Sequence, residues 1–183
     1  MPRHPQAAKS ARREFLESLL WAVAVALLIR TFVIAPFKIP SGSMRPTLME
    51  GDRILVSKFI YRFHEPQRGD IIVFRYPEDP KRPFIKRLAG LGGEALEIRD
   101  GRLVINGTPL AGHSVLTDIA YLNRGSFGEE GRQIEIPPGQ LYVLGDNTSF
   151  SHDSRFWGFV PRRLLIGRAL CIFWPLNRIR LLR

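Results

Sequence analysis

Apolar positions fall into two regimes along this chain. From Leu19 to Ile29 (LLWAVAVALLI) the only polar side-chain group is the Trp21 indole N–H, whereas after Phe37 the apolar residues come in short runs cut by turns. Extended by Phe15 to Ser18 and by Arg30 to Ile34, the first regime reaches about twenty residues, the length that crosses roughly 30 Å of hydrocarbon. It predicts one N-terminal transmembrane helix over residues 15–36. Glu17 and Arg30 near its ends can snorkel to head groups, Ser18 can bond a carbonyl of the preceding turn, and Pro36 stops the helix. Three other readings compete. A buried core helix would show a polar stripe. A cleaved secretory leader would be cut near Val33-Ile34-Ala35, where the following Pro36 hinders processing. A helix lying on the membrane would need a basic polar face. Arg3, Lys9, Arg12 and Arg13 precede the segment, so residues 1–14 read as a basic cytoplasmic tail and the rest of the chain as lying outside.

After Phe37 the pattern is that of strands. Asp52–Phe59, Asp70–Arg75, Leu141–Leu144 and Leu165–Phe173 are rich in Val, Ile, Leu and Phe. Asp100-Gly101, between Ala95–Arg99 and Arg102–Ile105, is a two-residue hairpin signal because both central positions need positive φ. Asn106-Gly107 repeats it. Gly112 to Glu135 is polar and poorly patterned. The fold class predicted is mainly β: a strand-rich core over 37–93 and 141–183, a peripheral hairpin-and-loop insertion over 94–140, and the membrane helix in front. The C-terminal stretch Arg178–Arg183 is too short and charged for a second span; it either lies on the membrane or covers the core.

Composition narrows this picture. Against 17 acidic residues stand 27 Lys and Arg, for a net charge of +10, which favours an anionic partner such as phospholipid head groups or nucleic acid. The single cysteine, Cys171, excludes an intrachain disulfide and, within Ala169–Trp174, reads as a buried inert thiol. No Cys/His spacing suggests a metal.

Candidate chemistry centres on Ser43 and Lys86. A serine hydroxyl needs a nearby base, and a lysine can be that base only if burial lowers its pKa. With Pro83–Leu88 as a strand, Phe84, Lys86 and Leu88 share one face and Ile85 and Arg87 the other; the alternative is an ordinary basic strand end in water. Ser41 and Ser43, two apart on an extended segment, would project to one side, one attacking and the other, with a backbone N–H, donating to the oxyanion. Gly42 between them leaves room for a substrate backbone. Read alone, Ser-Gly-Ser before Pro46 is also a common surface loop. His152-Asp153 does not make a triad, because neighbours on an extended chain diverge. His4, His64 and His113 lack motif context and read as surface residues.

Four segments together resemble the type I signal peptidases, the Ser-Lys leader peptidases. Pro40-Ser41-Gly42-Ser43-Met44-Arg45-Pro46-Thr47-Leu48 is similar to their nucleophile box, Gly51–Val56 to the box that follows it, and Ile85–Leu91 to the lysine box. Gly145-Asp146-Asn147 with Ser151–Gly158 is similar to the last box. The resemblance runs from Phe15 to about Trp174. It implies Ser43 as nucleophile, Lys86 as general base, and Ser41 with the Ser43 amide as oxyanion hole. Ser151 would hydrogen-bond the lysine, and Asp153 and Arg155 would form a supporting ion pair. Read from their own spacing, Ser151, Asp153 and Arg155 alternate and would share a face if extended. Thr148-Ser149-Phe150 stands where the family has Arg-Asp-Asn, which disturbs the local polar network. Gly92 departs from Leu-Pro-Gly-Asp and should loosen that turn.

The implied activity is removal of N-terminal signal peptides from exported preproteins at a cytoplasmic membrane, with no cofactor or metal and no nucleic-acid partner. Expected partners are preproteins emerging from the export translocase and membrane lipids. An extended substrate would add to strand edges near Pro40 and Phe84, with Ile39, Met44, Leu48, Phe84 and Ile85 lining shallow pockets for small side chains. Two rivals remain at this level: a self-cleaving Ser-Lys hydrolase of the SOS-repressor kind, which would carry a DNA-binding domain, and a non-enzymatic anchored β module. A maturation enzyme dedicated to one substrate is a narrower form of the leading reading.

Overall fold

The computed structural model describes residues 11–28, 33–112 and 114–182. It opens with helix α1, Ala11–Leu28, of 18 residues. Arg12, Arg13, Glu14 and Glu17 crowd its first turns, with Arg13 paired to Glu17 and the Ser18 hydroxyl donating to the Glu14 carbonyl at 2.9 Å. Phe15, Leu20 and Trp21 are largely exposed, as are Leu19, Val23 and Leu27. Among the described residues no helix is long and apolar enough to cross a membrane. Of the span expected over 15–36, the described residues place 15–28 in α1 and 34–36 in a strand. Its charged first turns shorten the apolar run, and its far end is a strand: β1, Ile34–Lys38, includes Pro36 opposite Leu55. Pro36 thus does not stop a helix; it sits in an edge strand, where a missing N–H is tolerated. Residues 29–32 and His4 and His113 lie outside the described residues, as does most of the 1–14 tail. His64 is exposed.

The strands that follow are β2 (Arg53–Ser57), β3 (Ile71–Arg75), β4 (Pro83–Leu91), β5 (Ala95–Arg99), β6 (Arg102–Ile105) and β7 (Thr108–Pro109). A short helix α2 (Ser114–Asp118) precedes β8 (Ile134–Glu135) and β9 (Gln140–Leu144). After helix α3 (Ser154–Trp157) come β10 (Val160–Pro161), β11 (Leu165–Trp174) and β12 (Arg180–Leu181). An eight-stranded sheet runs β1-β2-β11-β3-β4-β9-β10, with β12 on β11; a four-stranded sheet runs β7-β6-β5-β8. The fold is mainly β, and the second sheet falls within 94–140. Its hairpin β5–β6 turns at Asp100 and Gly101, both with positive φ.

Alternation along the central strands feeds separate cores. On β3, Ile71 and Val73 pack with Ile39, Met44, Leu48 and Ile54, while Ile72 and Phe74 pack with Leu88 and Val143. On β9, Tyr142 and Leu144 face a third cluster with Leu96, Ile98 and Tyr121 from the second sheet. Leu182 is buried in the first cluster, so the C-terminal stretch covers the core, although Ile179 and Leu181 stay exposed. Cys171 is half-buried rather than buried. At Gly92, a Cβ would press on the backbone of Pro137 and Gly139. The expected loosening does not occur: the turn is packed, and Glu94 accepts from the Leu91 N–H at 2.7 Å.

Candidate active site

Two loops and one strand converge at the end of the large sheet. Ser43 lies in a 3₁₀ turn, Gly42–Met44, between β1 and β2. Lys86 lies on β4 opposite Ile72, with Phe84 and Leu88 two residues away on its own face. Lys86 Nζ sits 2.6 Å from Ser43 Oγ, with Ser43 7% and Lys86 4% exposed. Burial among these apolar groups lowers the amine to about 8; Asp153 and Asp146 pull it back up and Arg155 pushes it down. A hydroxyl thus meets an amine whose neutral form is well populated just above neutrality.

Around this pair opens a cleft of about 520 Å³, lined by Pro40, Ser41, Ser43, Lys81, Arg82 and the stretch Pro83–Lys86. Ser41 is extended (φ −140°, ψ 157°), and its side chain makes no cap to the 3₁₀ turn that follows. The picture of Ser41 and Ser43 on one extended segment is corrected, because Ser43 is inside the turn; both nevertheless line the cleft. A smaller cavity of about 80 Å³ adjoins it at Pro40 and Pro83–Ile85 and is walled by Phe37, Ile39, Ile54 and Val73. Met44 and Leu48 line neither cavity. Both are fully buried in the core, Met44 as the last residue of the 3₁₀ turn. On β4, residues Pro83–Lys86 pair only with β3, because β9 joins from Arg87 onward. That leaves an open edge beside the cleft.

Behind the pair are two fully buried ion pairs. Arg155 grips both oxygens of Asp153 (2.8 and 2.9 Å) and also donates to the Thr148 hydroxyl, the Thr148 carbonyl and the Leu122 carbonyl. Asp153 caps α3 and accepts from the Gly145 N–H at 3.0 Å. Since Arg155 is helical, Ser151, Asp153 and Arg155 do not share an extended face. Ser151 is buried, but its hydroxyl makes no hydrogen bond, so the expected bond to Lys86 is not formed. Thr148, where the family has Arg, is built into the Arg155 network and accepts from the Leu122 N–H, whereas Phe150 projects into solvent, 80% exposed. The second sheet's loop at Leu122 is accordingly part of the support. His152 is exposed and lies near Tyr76, away from Ser43.

The other pair received no role from the sequence. Arg87 donates to both oxygens of Asp146 (2.8 and 2.6 Å) and to the Gly69 carbonyl. The Thr47 hydroxyl also donates to Asp146. Asn147, next in the chain, donates from its backbone N to the Ser43 carbonyl and from Nδ2 to the Gly42 carbonyl, both at 3.0 Å. The available signal was the Gly145-Asp146-Asn147 motif itself: polar residues directly after a buried strand need partners. Gly145 permits this crossing, because a Cβ there would collide with Ser151 and the Ser43 carbonyl.

Residues 12–174 match the family model for signal peptidase, peptidase S26. The chain is 43% identical over 179 residues to a signal peptidase I of Leptolyngbya laminosa, covering 94% of this chain and 84% of that one. It is 41% identical to a probable signal peptidase I-1 of Synechocystis, over 91% of this chain and 84% of the other. A signal peptidase I crystal structure from Enterococcus faecalis aligns with 33% identity and a TM-score of 0.47, over 57% of this chain and 97% of that one.

Proposed function

Because the chain belongs to the signal peptidase family, peptidase S26, we propose that it is a membrane-associated endopeptidase that removes signal peptides from exported preproteins, with Ser43 as nucleophile and Lys86 as general base. The observation that carries this reading is the 2.6 Å approach of a buried, apolar-covered amine to a buried hydroxyl at the floor of an open cleft.

A preprotein strand pairs with the open edge of β4 at Pro83–Lys86 and runs past Pro40. Small side chains enter the cavity walled by Ile39, Phe84 and Ile85. Neutral Lys86 takes the Ser43 proton as Oγ attacks the scissile carbonyl. The oxyanion accepts from the Ser43 N–H and the Ser41 hydroxyl. Lys86 returns the proton to the leaving amine, and then takes one from the water that hydrolyses the acyl-enzyme. Asp153 with Arg155 braces the loop behind the amine. The exposed apolar surface of α1 and the +10 charge support seating on anionic lipid. Sharing a surface with a membrane-held preprotein raises the effective concentration of substrate.

The test is cleavage of a preprotein and of a short Ala-X-Ala peptide in lipid vesicles. Ser43→Ala, Lys86→Ala and Lys86→Arg are each expected to abolish cleavage with circular dichroism unchanged, the last because arginine stays charged. Near-normal turnover by Lys86→Ala would overturn the dyad.

A further inference from the structure

We propose that Asn147 is a positioning residue that aims the oxyanion-binding amide of Ser43, an inference that rests on reading Ser43 as the nucleophile. A trans peptide unit points its C=O and its N–H in opposite directions. The Gly42 carbonyl and the Ser43 N–H belong to one such unit. Asn147 Nδ2 donates to that carbonyl at 3.0 Å and so holds the far end of the unit, turning the Ser43 N–H the other way. The same carbonyl also accepts from the Arg45 N–H at 3.1 Å, the bond that closes the 3₁₀ turn. The next unit is held as well, since the Asn147 backbone N donates to the Ser43 carbonyl at 3.0 Å. One asparagine therefore fixes the peptide planes on both sides of the Ser43 Cα.

Asn147 is itself on a rigid base. Asp146 beside it is fully buried and held at both oxygens by Arg87, the residue following Lys86 on β4. General base and oxyanion donor are thus referred to one ion pair: Lys86 directly along the strand, and the Ser43 amide through Asp146 and Asn147. Without the Nδ2 bond, only the Arg45 bond of a three-residue 3₁₀ turn restrains the plane, and such turns have poor hydrogen-bond geometry. The amide then rocks away from where the oxyanion forms.

Deleting one oxyanion donor lowers kcat by about 10²–10³-fold, so a donor left in place but loosened is expected to cost about 10- to 100-fold. The experiment uses the full chain in vesicles with a preprotein substrate, a peptide aldehyde whose adduct with Ser43 places O⁻ at the amide, and the unreactive peptide amide of the same sequence. Asn147→Ala is expected to lower kcat by that factor with KM nearly unchanged. It should weaken the aldehyde by the same factor while leaving the peptide amide's affinity and the pH limb of Lys86 where they were. Asn147→Asp, similar in shape but setting an acceptor against the Gly42 carbonyl, is expected to show the same losses in kcat and in aldehyde affinity, while its added carboxylate raises the amine, so the pH limb is compared for Asn147→Ala alone. A rise in KM alone, an unweakened aldehyde, a displaced pH limb in Asn147→Ala, or loss of activity tracking loss of folded protein in both variants would overturn the proposal. If the unsubstituted chain is inert, or Ser43→Ala stays active, the nucleophile reading falls. If Ser43→Ala is dead and both Asn147 variants are fully active, only the role of Asn147 falls.

Discussion

In the proposed mechanism two demands conflict at position 86: the amine must shed its proton near neutral pH, and the chain must fold with that amine inside. Burial answers the first by lowering the amine from 10.5 to about 8. Catalysis by the neutral amine predicts a rate that rises with pH through a limb near 8, measured as kcat/KM on a peptide substrate. Stability shows the opposite side of the same shift. Between pH 8 and 10.5 the unfolded chain holds more protons than the folded one, so stability rises across that window; below pH 8 the full penalty of burying a charge applies. Lys86→Met is therefore expected to be inactive yet more stable at pH 7, by up to about 3 kcal/mol, with the gap in denaturant midpoint closing toward pH 10.5. At this scale much was legible in the sequence. The alternation Phe84-Lys86-Leu88 announced an apolar setting for the amine. The placement of Met44 was not legible, because the 3₁₀ turn Gly42–Met44 is too short to show a periodic pattern. Nor was the partner of Arg87, which depends on a loop far along the chain.

Two loops and one strand carry the site, and the packing of the loops sets its tolerance. Gly145 lies where the Ser43 loop, the Ser151 loop and Asp153 meet. Gly145→Ala is expected to displace the Ser43 loop and lower turnover by an order of magnitude or more, with a lower melting temperature, as overpacking costs about 1–3 kcal/mol. Asp153→Asn leaves the Arg155 guanidinium buried without its counter-charge, and a loss of about 3–5 kcal/mol in chemical denaturation is expected. Strand runs such as Asp70–Arg75 and the turn at Asp100-Gly101 were readable because period-two burial and positive φ are local properties. The shared face that Ser151, Asp153 and Arg155 would have if extended does not form, although Asp at a helix N-cap is an equally local signal. The short length of α3, four residues, gave no periodicity to support it.

For the whole molecule, the second sheet is more than an appendage: its loop at Leu122 holds Arg155 and Thr148, and the Tyr142 hydroxyl donates to the Phe127 carbonyl at 2.6 Å. The exposed apolar residues of α1 predict that the full chain co-sediments with anionic vesicles in high salt. A variant with Leu20 and Trp21 changed to Glu is expected to be released, while still cutting a short soluble peptide. The far end of the expected membrane segment was not legible from hydropathy, because Ile34–Lys38 is drawn into the sheet by pairing with β2. One consequence of covering the amine at 86 with Ile72, Phe84 and Leu88 concerns timing. In a nascent chain none of that cover exists and the group is an ordinary ammonium, so a half-made copy is chemically silent. In the proposed mechanism, competence switches on only when the strands close over it: folding is the safety catch.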